Sequence, residues 1–450
     1  MANVIRLTKG LDIKLKGVAA EEFFEVEDSE RYALVADDYV GITPKMVVKE
    51  QDYVKAGSAL FVDKNHPEVK FVSPVSGTVN QIERGARRKI LSISVVASKT
   101  QEYIDFGRKD VEALSVGEIK NLMAESGLMA FVRQRPYDIV SCPEAEPRAV
   151  FVSTFDTNPL APDFEFVLKG EEEAFQTGLT ALSKIAKTYL NIDSTQSATA
   201  LTEARNVTVS VFEGPHPAGN VGVQINHIAP VNKGEVVWTL SAQSVIYLGR
   251  FFLEGHIDFV HPVALTGSEV VHPAYVRLQL GAQLTNVFEG RVTTGKDLRY
   301  ISGNVLTGRK ITADGYLGAY DSQLTVIPEG DEIHEEFGWI APRLNDFSMN
   351  RSYFSWLLGK KKRYALDARI KGGQRHMIMS DEYTKVLPMD ILPEYLIKAI
   401  LAGDIDRMEA LGIYEVAPED FALCEFVCSS KMELQRIVRE GLDMLRAEMN

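Results

Sequence analysis

Cysteine is scarce in this chain: Cys142, Cys424 and Cys428 are the only three in 450 residues. Three thiols cannot staple a protein of this size, which excludes a disulfide framework and points to a reducing compartment. They also fall short of the four thiolates that a cubane iron–sulfur cluster normally takes. Cys424 and Cys428 lie one helical turn apart and Cys142 is remote from both, so the pair reads as two small, half-buried thiols. No apolar run approaches the ~20 residues that span a bilayer. The opening MANVIRLTKGLDIKLKG lacks the apolar core of a signal peptide. We therefore expect a soluble, intracellular chain whose membrane role, if any, is peripheral. Positive charge is not in excess: 49 Lys and Arg stand against 62 Asp and Glu, a formal net charge of −13. That argues against a nucleic-acid binder.

Complete catalytic motifs are missing too. His334 is followed by Glu335 and Glu336, but no second histidine sits one turn on, as a zincin requires. His216, His261 and His272 each precede proline, which predicts turns or extended backbone, with solvated or capping roles. There is no Gly-x-Ser-x-Gly elbow. Residues 290–297, GRVTTGKD, nearly spell a phosphate-binding loop, but Asp297 stands where a Ser or Thr would ligate magnesium; a hairpin turn is expected instead. Asp63-Lys64 lies where a lipoyl domain offers its modified lysine. Its spacing to Pro74-x-x-Gly77 is long, so Lys64 reads as a surface hairpin residue, with a lipoyl-type carrier kept as an alternative.

What is present is material for several cores: 45% of residues are hydrophobic and 25% charged. The predicted fold class is a mixed α+β and α/β multidomain chain. Residues 45–96 read as short strands with glycine turns. Val54-x-x-Gly57 is echoed by Ile82-x-x-Gly85, the pattern of a barrel-sandwich hybrid of the lipoyl or biotinyl type, assigned to residues 1–100. Ser115 and Glu118 have capping-box spacing and predict a helix over 115–129, within a helical and linker segment at 101–147. Residues 148–257 read as a Rossmann-like domain. RAVFVS is a buried strand, residues 171–190 a helix with Phe175, Leu179, Leu182, Ile185 and Tyr189 on one face, NVTVSVFEG the returning strand, and QSVIYLGRFFLEG a further helix. Residues 258–330 suit a small β-grasp (SLBB-like) domain. Residues 331–450 are expected to be helical, with Leu434, Ile437, Val438, Leu442 and Leu445 as one packed stripe.

A dinucleotide bound to the Rossmann-like unit would need glycines in the turn after its first strand, so that backbone can approach the pyrophosphate. That turn is TFDTNPLAPDFEF, with no glycine, three acids and two prolines. Asp156 and Asp163 would repel phosphate, so no nucleotide is expected there. One basic segment stands out of the acidic chain: Lys360, Lys361, Lys362, Arg363, Arg369, Lys371 and Arg375, with Asp367 the one acid among them. Such a segment attracts anionic headgroups, or is a solvated loop.

Long, unusual strings carry a resemblance along nearly the whole chain. They include IRLTKGLDIKLKG, RQRPYDIVSCPEAEPRAVFVSTFDTNPLAPD, GPHPAGNVGVQIN, SVIYLGRFFLEG, LPMDILPEYLIKAILAGDID and ALGIYEVAPEDFALCEFVCSSK. With these the sequence resembles the NqrA family of the bacterial sodium-translocating NADH:quinone reductases. That family is related to RnfC of the Rnf complex and to the flavin-bearing subunit of complex I. The resemblance implies a peripheral subunit on the cytoplasmic face of the inner membrane. It implies partners among NqrB to NqrF, chiefly the membrane protein NqrB, and electron transfer from NADH to quinone coupled to sodium export. FAD, FMN, riboflavin and iron centres would reside in those partners, with no cofactor, metal or catalytic residue in this chain. The alternative from another class is a stand-alone flavin- or NADH-binding oxidoreductase. If this subunit meets quinone, Phe131, Arg133, Arg135, Pro136 and Tyr137 are the candidates, because they combine cations with aromatic surface; the other reading of that segment is a packed linker. Lys360, Lys361, Lys362, Arg363 and Lys371 are the candidate membrane or partner contacts.

Overall fold

The computed structural model describes residues 4–331, 333, 342–349, 351, 353–359 and 361–449. His334, Glu335, Glu336 and Lys360 lie outside the described residues.

Alternating apolar and polar residues make the first sandwich. One sheet runs in the order Arg31–Val35, Ile90–Ala97, Gly77–Arg84, Tyr53–Val54, and the other in the order Pro44–Met46, Ala59–Asp63, Lys70–Val72. Phe61 and Phe71 stack at 4.6 Å between them, and Tyr39 meets Phe71 edge-on at 4.6 Å. Lys64 is exposed in the hairpin that joins two of these strands. The capping box forms as its spacing implies: Glu118 N–H donates to Ser115 Oγ, and Ser115 N–H to Glu118 Oε2 at 2.8 Å, at the start of the helix Val116–Glu125.

The middle of the chain builds a seven-stranded sheet in the order Val4–Arg6, Thr208–Glu213, Lys187–Asp193, Ala149–Ser153, Val237–Ser241, Arg133–Arg135, Ile139–Val140. Its first five strands are parallel, and the last two form an antiparallel hairpin at the edge. The central strand is a continuous apolar run because both faces are covered. Val150 and Val152 pack toward the helices Glu172–Ile185 and Ala242–Glu254, and Ala149 and Phe151 toward the helix Val221–Ile228. The two helices on the first face touch through glycines: a Cβ on Gly249 would lie 1.6 Å from Ala174 O, and one on Gly178 2.2 Å from Val245 O.

Two expectations change here. The helix over 171–190 stops at Ile185, and Lys187–Asp193 is a strand paired directly with Ala149–Ser153. Tyr189 continues the helical spacing by coincidence; as a strand residue it stacks on Phe151 at 4.9 Å. An aromatic that fits a pleated, covered surface favours the strand once a neighbour is present. Residues 133–140, which read as linker, instead supply the edge hairpin, with Arg133–Arg135 paired to Val237–Thr239.

A six-stranded sheet follows, in the order Arg309–Ile311, Leu298–Ser302, Gln323–Pro328, Val260–Thr266, Ala274–Gln279, Ala20–Phe23. The GRVTTGKD segment enters Leu298–Ser302 as a turn with no helix after it, and Lys296 pairs with Glu269 at 3.3 Å. The C-terminal helices Pro393–Ala402, Ala422–Val427 and Leu434–Met449 close over one core, where the whole Leu434–Leu445 stripe is buried. The chain's first residues stitch these units together. Val4–Arg6 joins the parallel sheet, Leu7, Ile13 and Leu15 enter the C-terminal core, and Ala20–Phe23 edges the six-stranded sheet.

Candidate functional site

In the parallel sheet, the strand after Ala149–Ser153 lies on one side of it and Val237–Ser241 on the other. That reversal opens a crevice at the carboxyl ends of the two strands, where open α/β sheets bind ligands. A cleft of about 510 Å³ occupies it. Ser153, Thr154 and Ser241 form its floor, Phe131, Arg133 and Arg135 one wall, and Tyr320, Asp321 and Arg309 the wall from the six-stranded sheet. Glu419 of the C-terminal region closes it.

The loop from Thr154 to Asp163 packs so tightly on Gly219 that a Cβ there would sit 2.6 Å from Thr157 N. The helix that follows, Phe164–Leu168, is five residues long, and Asp163 Oδ1 accepts from Glu165 N at 2.8 Å and Phe166 N at 3.4 Å. Its positive end is thus already capped by a carboxylate. The turn is acidic, free of glycine and packed closely on Gly219.

The three arginines of the cleft are all engaged. Arg133 pairs with Asp138 at 2.7 Å, Arg309 with Asp38 at 2.7 Å, and Arg135 with Asp420 at 2.7 Å. Among the described residues the remaining acids form no such pair, and burial acts on them. Glu419 is pushed up to about 7 by burial and then by neighbouring Asp420 and Asp156. Asp321 is raised to about 6 by burial, although its carboxylate accepts from Ser302 Oγ at 2.6 Å. Asp156 is also raised by burial, against hydrogen bonds from Asn158. The cleft therefore offers an uncharged or weakly polar ligand two carboxyls that exchange protons near neutrality. Its aromatic lining includes Phe131, Phe155, Phe164, Tyr247 and Tyr320: Phe131 lies 5.4 Å from Tyr247 and 6.1 Å from Tyr320, whose hydroxyl donates to Ala130 O at 2.6 Å.

Of the five quinone candidates, the structure brings Phe131, Arg133 and Arg135 to the cleft. Pro136 is buried away from it, and Tyr137 packs against the C-terminal core, its carbonyl accepting from Arg439 at 2.7 Å. Tyr247, Tyr320, Asp321 and Glu419 carry no local sequence signal, because contacts across more than a hundred residues gather them. His216 and His261 correct the expectation of solvated histidines: both are buried, and burial lowers their basicity. His272 is exposed. Cys424 and Cys428 are fully buried rather than half-buried, with Tyr383 Oη 2.9 Å from Cys428 Sγ.

In the basic segment Lys361 and Arg363 are exposed, Lys362 reaches Asn345 Oδ1 at 3.2 Å, and Lys371 pairs with Asp346 at 2.8 Å. Beside it the short helix Phe354–Leu358 exposes Phe354, Trp356, Leu357 and Leu358. Among the described residues no helix is long and apolar enough to cross a membrane.

Three family models match consecutive stretches of the chain: the NqrA N-terminal barrel-sandwich hybrid domain over 5–98, the NqrA second alpha/beta domain over 114–257, and the NQRA C-terminal domain, of SLBB type, over 262–313. The NqrA protein of the Na(+)-translocating NADH-quinone reductase from Yersinia pestis bv. Antiqua (strain Angola) is 38% identical over 451 residues, covering 99% of this chain and 100% of its own. Its namesake from Neisseria meningitidis serogroup A is also 38% identical, with the same coverage. This chain belongs to the NqrA family. The NqrA matches agree with a mixed α/β multidomain fold that opens on a barrel-sandwich domain. An NAD+-reducing nickel–iron hydrogenase, in the air-oxidised state, aligns over 77% of this chain and 67% of its own, at 10% identity and a TM-score of 0.37. No functional conclusion attaches to that likeness.

Proposed function

We propose that this chain is the NqrA component of a sodium-translocating NADH:quinone reductase, and that it acts only within that assembly. Full-length identity to NqrA proteins of two bacterial genera carries this reading. In such a complex NADH is oxidised, quinone is reduced and sodium is moved. The flavins and iron centres of the electron path are assigned to the partners NqrB to NqrF. The acidic, glycine-free turn beside the cleft favours that division, since a flavin or nicotinamide nucleotide would bring phosphates against Asp156 and Asp163. The cleft better suits a quinone head: a flat, uncharged ring laid against Phe131, Tyr247 and Tyr320, with Arg133 near its oxygens and Glu419 and Asp321 as proton donors. Pro136 and Tyr137 then serve as support behind that wall.

The chain is peripheral on the cytoplasmic face in this reading, against the membrane protein NqrB. Its docking surface is the exposed Phe354–Leu358 turn together with Lys361 and Arg363, extended by Lys360, Lys362 and Lys371. Aromatic and aliphatic side chains beside cations are the pairing that a membrane interface favours. We take the parallel domain, 148–257, to be Rossmann-like, from its strand order around the crevice, and 258–330 to be a β-grasp (SLBB-like) domain. They are flanked by units at 1–100, 101–147 and 331–450, of which Val4–Arg6 and residues 133–140 join the parallel sheet and Ala20–Phe23 the six-stranded one.

Affinity purification of the chain from native membranes tests the proposal. Recovery with five partners and sodium-dependent NADH:quinone activity is expected. Recovery only as a free monomer, with activity unchanged when the chain is deleted, would overturn it.

A further inference from the structure

Outside the cleft, two loops from different parts of the fold bring three donor groups together, with a fourth, Glu68, beside one of them. His66-Pro67-Glu68 lies in the hairpin between Ala59–Asp63 and Lys70–Val72 of the sandwich, and Cys142-Pro143-Glu144 follows the edge strand Ile139–Val140. His66 Nδ1 is 3.4 Å from Glu68 Oε1 and 3.5 Å from Glu144 Oε2. The donor atoms of His66, Cys142 and Glu144 all fall within 4.8 Å of one another. Each loop has the same form: a nitrogen or sulfur donor, a proline, then a glutamate. Each is held by a backbone turn, Val69 N–H donating to His66 O at 2.9 Å and Ala145 N–H to Cys142 O at 3.2 Å.

Two carboxylates gathered at one point call for positive charge. Among the described residues neither Glu68 nor Glu144 forms an ion pair with a lysine or arginine; the basic group that both meet is His66. We propose that His66, Glu68, Cys142 and Glu144 bind one zinc(II) ion. One imidazole, one thiolate and carboxylate oxygens form a set of intermediate softness. That set suits zinc better than magnesium or calcium, which take oxygens alone, or copper(I), which prefers sulfur. Zinc bonds of roughly 2.0–2.3 Å put tetrahedral donors about 3.4–3.8 Å apart. The two histidine–glutamate separations already match. The partly exposed glutamate arms can swing to close the remaining edges. On binding, the Cys142 thiol becomes a thiolate and its proton goes to solvent, so affinity rises with pH. The ion would clip the sandwich to the hairpin that carries Arg133 and Arg135, beside the contact of Val140 N with Val40 O at 2.9 Å. It closes a long loop of chain, where a cross-link restrains the unfolded state most.

The experiment uses the full chain, stripped with a chelator, kept reduced without thiols, and titrated with zinc or cobalt(II). We expect one equivalent bound, a higher melting temperature, and a cobalt spectrum with thiolate charge transfer and the intense bands of four-coordination. Cys142→Ser should remove the charge-transfer band. Because even a residue one shell beyond a ligand is worth 10–100-fold in metal affinity, Cys142→Ser and His66→Ala should each weaken zinc binding by at least about 10-fold. His66 is half-exposed, and Cys142, which packs at the edge of the core, is replaced by a side chain of nearly its own size, so the metal-free variants should melt close to the metal-free parent. A six-coordinate cobalt spectrum in the parent, or zinc binding unchanged in Cys142→Ser, would overturn the proposal. A parent that binds no zinc would also overturn it.

Discussion

The ion pair Arg135–Asp420 joins the edge of the parallel sheet to the C-terminal helical core, and its removal gives a quantitative test of how these units are held. The two groups lie 2.7 Å apart with side-chain exposures of 1% and 0%. Arg135 also donates to Glu415 O at 3.0 Å, and Asp420 accepts from Ala417 N at 2.8 Å. The pair is not fully satisfied, however: Arg135 Nε and Asp420 Oδ1 have no hydrogen-bond partner among the described residues. A buried pair of this kind yields little net stability, because desolvation offsets the attraction, but deleting one member strands the other charge. Asp420→Leu and Arg135→Met should therefore each cost about 3–5 kcal/mol. The double variant should lie within about 1–2 kcal/mol of the parent, since two apolar side chains then fill the space without a charge. Urea unfolding followed by the fluorescence of Trp238 reads this out. Trp238 is fully buried on the strand paired with Arg133–Arg135, at the register of Gln134. With slopes of roughly 1–3 kcal/mol/M, the single variants should lose 1 M or more in midpoint. If the two losses simply add in the double variant, the pair is not coupled and the reasoning fails.

Four further outcomes follow from the structure. A Cβ on Gly222 would lie 2.3 Å from Asp420 Oδ1 and 2.5 Å from Arg135 Nη1, so Gly222→Ala should destabilise by about 2–3 kcal/mol, and by less in the Arg135→Met/Asp420→Leu background. Gly249→Ala, which places a methyl against Ala174 O, should cost about 3 kcal/mol or prevent folding, read as lost soluble yield and melting temperature. Glu419 has a native value of about 7 against an ordinary 4.5, so the unfolded chain sheds this proton first and stability falls as pH rises between those values. Glu419→Gln should match the parent near pH 4 and exceed it at pH 8, by up to about 3 kcal/mol. An equal effect at both pH values would refute the assignment. Within the complex, Trp356→Ser with Lys361→Glu should weaken recovery with the membrane partners by about 10-fold while leaving the melting temperature of the isolated chain unchanged.

Several elements were legible in the sequence because their determinants are local. The Ser115–Glu118 box fixes a helix start through contacts three residues apart, and Gly255 ends the helix Ala242–Glu254 in a left-handed conformation. The Leu434–Leu445 stripe needs only helical spacing to define its buried face. Tyr189 shows where such reasoning stops: its spacing suits a helix as well as a strand, and the stacking of Phe151 decides. The stretch 133–140 reads as linker for the same reason, since an edge hairpin is defined by the strand it pairs with.

The sequence by itself determined which family this protein joins, and set the terms on which its sites could be sought. Three thiols, an acidic glycine-free turn and no spanning apolar run are properties of composition and order, which no folding can alter. Only the tertiary structure decided where the remaining chemistry sits. It gathered Phe131 and Arg133 with Tyr320, Asp321 and Glu419 around one crevice, and His66 with Cys142 and two glutamates at another point. It also moved His216 and His261 from expected surface into the interior. The physical reason is that burial and proximity, which set a carboxyl near 7 or collect donors around a cation, come from packing between segments far apart in the chain.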